Sequence, residues 1–418
     1  MNIEGLYELF KKSCLVDTDT RNIRKGSIFF ALKGANFNGN KFAEEALNKG
    51  ASYAVVDEEE YKRKGNIILV EDVLTSLQKL ANYHRRQLKC PIIALTGSNG
   101  KTTTKELINV VLSKKYKVNA TKGNLNNHIG VPLTLLSMTE DTEVGVVEMG
   151  ANHHKEIALL SGIAEPDFGY ITNFGKAHLE GFGSVEGVIE AKSELYDFLI
   201  VNDKKVFVNP SDKIQMQKTE KAKRILFSSD IRFEEVNPFV KLSYNTVQIQ
   251  SNLIGKYNYN NIAVAITIGV QFDVAMDDIK EAIESYAPDN NRSQIIKKNS
   301  NKIILDAYNA NPTSVQAAIE NFKLLKDSFK VVILGDMFEL GENSHKEHQY
   351  IVDLMDACEF DESIVVGANF YDTTTNSQQF INFESLKEKL LTKKYTNATI
   401  LVKGSRGMAL ERVLEYLN

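Results

Sequence analysis

The chain has 418 residues, more than one hydrophobic core usually serves, so two or three domains are expected. Its 43% hydrophobic and 25% charged residues describe an ordinary globular protein, and a net charge of -4 leaves no electrostatic footprint for nucleic acid. No stretch approaches the roughly eighteen consecutive apolar residues of a membrane span, and the start Met1–Tyr7 has no targeting pattern. Cys14, Cys90 and Cys358 lie far apart without metal-ligand spacing. These features predict a cytoplasmic protein without membrane or nucleic-acid partners, its thiols reduced and inert in the core.

In chain order, residues 1–85 carry short strand-like runs, Ser27–Leu32 and Ala54–Val56, with a helical stretch near Lys41–Lys49, which predicts a small α/β unit. From about Cys90, strand and helix signals alternate. Pro91–Leu95, Val144–Glu148 and Phe168–Thr172 read as buried strands, and Lys105–Ser113 and Val185–Phe198 as helices, so residues 86–288 are expected to hold a mostly parallel sheet covered on both faces. Polar–apolar alternation in Phe239–Leu242 and Thr246–Ile249 predicts antiparallel strands attached within 205–254. Pro288 breaks the helix Met276–Tyr286 and marks a boundary. Beyond it, Lys302–Asp306, Val331–Asp336, Ser363–Gly367 and Thr399–Gly404 predict a second, Rossmann-like doubly wound sheet over 289–418, whose ligands would meet the carboxyl ends of the strands.

The strongest chemical signal is Gly97-Ser98-Asn99-Gly100-Lys101-Thr102-Thr103, between an apolar strand and the helix pattern Leu107–Leu112. Backbone N–H groups of such a loop close around phosphate oxygens, Lys101 places a point charge on the terminal phosphates, and the Thr102 hydroxyl suits Mg²⁺ at the positive end of the helix. The spacing from Gly97 to Gly100 is shorter than in the common phosphate loop. Glu148 ends a strand where its carboxylate could face Thr102 across the metal, and His178 follows another strand at the same sheet edge. A lone histidine is more often structural, and Lys192 by position alone reads as a solvated helix lysine.

These runs, with Lys122–Pro132, Ala177–Gly183, Ala191-Lys192 and Gly255-x-x-Asn258-x-x-Asn261, resemble the Mur ligases, ATP-dependent amide-forming enzymes of peptidoglycan synthesis. The resemblance spans essentially the whole chain. It implies three domains: a uridine-nucleotide domain (1–85), a central phosphate-loop ATPase domain (86–288) and a carboxyl-terminal ligase domain (289–418). In the last domain, Asp306–Pro312, Leu334–Gly341 with His348, and Lys403–Met408 are similar to members that join D-alanyl-D-alanine to UDP-N-acetylmuramoyl-tripeptide.

The resemblance carries roles onto particular residues. ATP would be held by the loop from Gly97 to Thr103 together with Asn258, Arg292 and Asp306, with Arg292 on the terminal phosphate. Two Mg²⁺ ions would involve Thr102, Glu148, His178 and a carbamylated Lys192. The substrate contacts would come from Thr20, Arg21, Asn126, Asn127, Asn309 and Asn311, and the enzyme would act as a monomer. Asn38-Gly39-Asn40 departs from the family's usual Asp-Gly-His.

The implied reaction starts with attack of the peptide carboxylate on the γ-phosphate of ATP, giving an acyl phosphate that an amine then attacks. Lys101, Arg292, His178 and Lys192 would carry it. A ligase adding the third amino acid is disfavoured because the Asp-Asn-Pro-Arg loop of the diaminopimelate-adding members is missing. A folylpolyglutamate synthetase is disfavoured because the Tyr308–Asn311 run is similar to that of the D-alanyl-D-alanine-adding members, and a switch ATPase leaves Lys192, His178 and the last domain without a purpose.

Overall fold

The structure, a computed structural model, describes residues 1–417. It is an α/β protein built on three mostly parallel sheets. The first is four-stranded, β1 (Val16–Asp17), β2 (Ile28–Phe30), β3 (Tyr53–Val56) and β4 (Ile67–Leu69), paired in that order and all parallel. The helix Val73–Gln87 closes this unit. Asp72 caps it by accepting from the Thr75 amide at 2.7 Å, and Val73, Leu77, Leu80, Ala81 and His84 form its buried stripe. Its other side reaches the next unit: Gln78 donates to the His128 carbonyl at 3.0 Å, Asn82 to Gly162 and Ile163, and Arg85 pairs with Asp167 at 2.7 Å.

The central sheet has six strands: β5 (Ile92–Thr96), β6 (Val118–Ala120), β7 (Val144–Glu148), β8 (Phe168–Ile171), β9 (Lys205–Val208) and β10 (Lys223–Leu226). Their order is β10-β9-β8-β5-β7-β6, entirely parallel. β5 and β7 are buried throughout, as expected for strands covered on both faces. Register pairs Leu95 with Glu148 and Thr96 with Ile171, so the phosphate loop, Glu148 and Thr172 leave the sheet at one edge.

The antiparallel expectation for 205–254 holds only from Ile231. There β11 (Ile231–Val236), β12 (Phe239–Tyr244) and β13 (Val247–Ile254) form a separate three-stranded antiparallel sheet. Residues 205–226 instead extend the parallel sheet as β9 and β10, because Val206, Phe207 and Val208 are fully buried against it. Such a run is apolar on both faces rather than alternating.

The last sheet comprises β14 (Gln294–Lys298), β15 (Asn301–Asp306), β16 (Lys330–Gly335), β17 (Glu362–Val366), β18 (Gln378–Phe380) and β19 (Thr399–Lys403), in the order β14-β15-β19-β16-β17-β18. Only β14 is antiparallel. The chain passes from β15 to β16 over the place that β19 fills, so the loops after all three open into one crevice at the carboxyl ends.

Two expectations on single residues are corrected. Cys14 is exposed, at the left-handed carboxyl cap of the helix Ile3–Ser13, and Cys358 is half-buried, so only Cys90 lies in the core. Lys192 is not solvated: it is 1% exposed. The helix Val185–Val201 that carries it turns Val188, Ala191, Leu195 and Leu199 toward the core, and its buried face is wide enough to include the lysine.

Candidate active site

One cavity of about 570 Å³ opens between the central unit and the carboxyl-end crevice of the last sheet. Its walls include Ser98, Asn99, Gly100, Lys101, Thr102 and Thr103 from the phosphate loop, with Glu148 and His178 from neighbouring strand ends. Asn126, Asn127, Asn258, Arg292, Asp306 and Asn309 also line it. Gly97, Lys192, Asn311, Thr20 and Arg21 are not in the lining. Arg21 stays on the first unit with its guanidinium 2.6 Å from the Asp19 carboxylate, and the Thr20 carbonyl accepts from Lys49 at 2.9 Å.

The loop is held from behind by residues that follow β8. Ser98 Oγ donates to the Gly175 carbonyl at 2.9 Å, the Asn99 amide donates to Asn173 Oδ1 at 3.0 Å, and Thr172 Oγ1 donates to the Asn99 carbonyl at 2.5 Å. Gly97 makes this lacing possible. Its φ is +142°, and a Cβ there would lie 2.0 Å from Thr172 Oγ1. Gly97→Ala should therefore cost more than about 1 kcal/mol of stability and lower turnover by about 100-fold or more, checked by thermal unfolding alongside phosphate release. Wild-type turnover in that variant would show that the loop tolerates another path.

Lys101 folds back so that Nζ donates to the Gly97 carbonyl at 2.7 Å. Burial pushes its pKa down and nearby Arg292 lowers it further, while Glu148 opposes both. The ammonium is poorly solvated and forms no ion pair within contact distance among the described residues, which favours an anionic ligand. The Thr102 hydroxyl donates to Glu148 Oε2 at 3.0 Å, and Asn126 Nδ2 donates to Glu148 Oε1 at 2.9 Å, so that carboxylate is aimed at the loop. Asn127 Oδ1 accepts from the Gly130 amide at 2.9 Å, at the start of the helix Gly130–Leu136. Asn258 donates to the Ile254 carbonyl at 2.7 Å and accepts from Asn261, which in turn accepts from Thr104, clamping two helices beneath the loop.

Lys192 lies behind the wall. Its Nζ donates to the Ala151 carbonyl at 3.0 Å and sits 5.0 Å from the centre of the Phe182 ring. Burial drives its pKa well below the ordinary lysine value, and the Lys101 charge adds to that. It is a candidate for a neutral amine inside a protein.

The last unit closes over the loop directly. Asn311 caps the helix Pro312–Leu324 and donates through Nδ2 to Asn99 Oδ1 at 2.7 Å. The Lys176 amide donates to Thr313 Oγ1 at 2.9 Å, and Lys176 Nζ pairs with Glu347 at 2.7 Å. Arg292 stacks its guanidinium 3.8 Å from the centre of the Tyr308 ring, on the cavity wall. Asp306 is held by Lys403 at 2.6 Å and by the Ser293 amide. The sequence assigns no role to Lys403, Asn173 or Thr313, although Lys403 opens the run Lys403–Met408 and, 2% exposed at the carboxyl end of a parallel strand, carries the positional signal that marks such sites.

Metal donors near the loop are a hydroxyl, a carboxylate and an imidazole, with no thiolate. Among the described residues, no group of three or more His, Cys, Asp and Glu side chains converges as a complete cage. A partial shell of hard donors beside a phosphate loop fits Mg²⁺, which takes its remaining ligands from phosphate and water.

The chain also resembles known proteins. Patterns for the Mur ligase catalytic domain, the Mur ligase middle domain and the Mur ligase glutamate ligase domain match residues 15–87, 95–269 and 291–406. The UDP-N-acetylmuramoyl-tripeptide–D-alanyl-D-alanine ligase of Bacillus subtilis (strain 168) is 35% identical over 96% of this chain and 92% of its own length. A crystal structure of MurF from Acinetobacter baumannii superposes with a TM-score of 0.87 at 31% identity, covering 96% of this chain and 92% of that one. MurF ligase of Thermotoga maritima in complex with ADP does so with a TM-score of 0.86 at 26% identity, covering 97% of both chains. A likeness that runs from end to end in sequence and in structure, around a phosphate loop facing a second α/β unit, has one reading: the chain belongs to the Mur ligase family.

Proposed function

We propose that this protein joins D-alanyl-D-alanine to UDP-N-acetylmuramoyl-tripeptide at the expense of ATP. The observation that carries the reading is whole-length similarity to ligases of that name, combined with one cavity walled by the phosphate loop and by the Asp306 and Lys403 strand ends. In the first step a peptide carboxylate oxygen attacks the γ-phosphorus and the bond to ADP breaks. In the second, the dipeptide amine attacks the acyl carbon, phosphate leaves and the amine proton is lost. Two anions must meet in the first step, so cationic side chains matter more than an acid–base pair. Lys101 and Arg292, both on the cavity wall, serve that purpose, and Tyr308 fixes the Arg292 plane. Closure of the last unit over the loop keeps water from the acyl phosphate.

Thr102 would hold one Mg²⁺, and Glu148 with His178 would hold a second that a carbamylated Lys192 supports; bound there, the ions would neutralise charge on phosphate oxygens. Lys192 suits this only as a carbamate, formed when its neutral amine adds to carbon dioxide and loses a proton. The depressed pKa favours that neutral amine. Asn126 and Asn309 would face the peptide and dipeptide, while Thr20 and Arg21 would meet the uridine nucleotide on the first unit. No helix among the described residues is long and apolar enough to cross a membrane.

The test is phosphate release coupled to mass detection of the pentapeptide nucleotide. Product should form only when tripeptide nucleotide, D-alanyl-D-alanine, ATP and Mg²⁺ are all supplied. Robust turnover with free L-amino acids in place of the dipeptide would overturn the assignment.

A further inference from the structure

The run Leu334–Gly341, with His348 and Ser405, has no task in the chemistry above, yet the structure spends many hydrogen bonds on its shape. The Asp336 carboxylate is buried and accepts from the Asn369 amide, the Asn369 side chain and the Phe370 amide, each at 3.0 Å. The Met337 amide donates to His348 Nε2 at 3.0 Å, while His348 Nδ1 contacts the Ser344 carbonyl at 2.7 Å. His348 is therefore neutral with its proton on Nδ1, since Nε2 is an acceptor. The Phe338 amide donates to Ser405 Oγ at 3.0 Å. Successive backbone amides are thus pinned, and the next residue, Glu339, is delivered to a fixed place.

That place is His178, on the other side of the boundary between units. Glu339 Oε2 lies against His178 Nδ1, a buried ring nitrogen with no aligned hydrogen bond to any described residue, so the contact is one of proximity and charge. The backbones meet as well, with the Glu180 amide donating to the Glu339 carbonyl at 3.2 Å. Both partners hold a left-handed backbone that non-glycine residues seldom adopt, φ +52° at His178 and +62° at Glu339. Strained residues persist only where their surroundings over-determine them, and such pairs gather at functional sites. Here they face one another across a joint. His178 also lines the cavity, so with Nδ1 turned to Glu339 the ring has Nε2 left to offer a metal.

We propose that Glu339 is a positioning residue. By holding His178 Nδ1, it fixes the ring and its tautomer for a metal ion, and because it comes from the last unit it makes that donor available only when the units are closed. A carboxylate behind a metal-binding histidine is a general device for orienting the ring and raising its basicity. The inference rests on the reading of His178 as a metal donor.

The experiment compares wild type with Glu339→Ala, Glu339→Gln, His178→Ala and the double alanine variant. Mn²⁺ binding is titrated by electron paramagnetic resonance with a non-hydrolysable ATP analogue and the uridine nucleotide present; thermal unfolding and the Mg²⁺ dependence of turnover are measured in parallel. Glu339→Ala should weaken one Mn²⁺ by about 10- to 100-fold without changing the unfolding temperature, and should raise the Mg²⁺ needed for half-maximal turnover. Glu339→Gln, whose amide oxygen can still sit against Nδ1, should lose less. The double variant should match His178→Ala. Wild-type Mn²⁺ affinity in Glu339→Ala, or a further loss on adding it to His178→Ala, overturns the proposal while leaving His178 as a donor. Wild-type affinity in His178→Ala overturns the metal reading of His178 and the proposal with it.

Discussion

Lys101→Ala should reduce turnover by about 1,000-fold or more, with little loss of fold stability. Removing a preorganised cation from a developing phosphoryl charge costs on this scale. Stability is spared because the wild-type ammonium is itself badly placed: burial and Arg292 push its pKa down, and its near contact is the Gly97 carbonyl at 2.7 Å. The same geometry gives a pH signature in ligand binding. The charge that attracts a polyphosphate is present below the depressed pKa of Lys101 and lost above it, so ADP affinity measured by calorimetry should fall as pH rises through that value. In Lys101→Ala the affinity should be weaker throughout and that pH dependence absent. A variant with substantial turnover would mean that Arg292 or Lys403 alone carries the terminal phosphate.

Lys192→Ala should be nearly inactive and partly rescued by a short carboxylic acid that enters the vacated space and restores an anion near the metal. Wild-type activity should also depend on dissolved carbon dioxide, since a carbamate forms only from a neutral amine. The stability effect runs the other way. The folded pKa of Lys192 lies below its ordinary value of 10.5, so between those two values the unfolded chain binds more protons and stability rises with pH. Below that window the buried amine destabilises the fold. In carbon-dioxide-free buffer at neutral pH, Lys192→Met should therefore unfold at a higher temperature than wild type while lacking turnover, and the difference should shrink as pH climbs toward 10.5. An active Lys192→Ala would remove the lysine from the site altogether.

Much of this protein is legible along the chain because its signals are local. Parallel strands buried on both faces are continuous apolar runs, so Val144–Glu148 and Thr399–Lys403 stand out, and the polar residue that ends each strand marks the edge where ligands bind. Gly97, Gly100, Lys101 and Thr102 are recognisable because a loop that wraps phosphate needs glycine, cation and hydroxyl at fixed offsets. The edge strands Lys205–Val208 and Lys223–Leu226 are harder to place from sequence: whether a short strand joins a parallel sheet or a neighbouring antiparallel one depends on partners distant in sequence.

What only the tertiary structure decides is which side chains are covered and which meet across the units. A helical period says that Lys192 shares a side with Val188 and Leu195, but not that Ala151 and Phe182 cover the ammonium. Asn311 and Asn99 are 212 residues apart, and no spacing rule joins them; the carboxyl-terminal crevice brings them to 2.7 Å. His178 illustrates the division. Sequence places it after a strand at the ligand-binding edge, where a lone imidazole has no assigned partner, and only the closed arrangement of the units sets the Glu339 carboxylate against its ring. Hydrophobic periodicity and loop chemistry act over a few residues and so can be read from order alone, whereas burial and pairing between units are set by the packing of whole sheets, which no short stretch of sequence encodes.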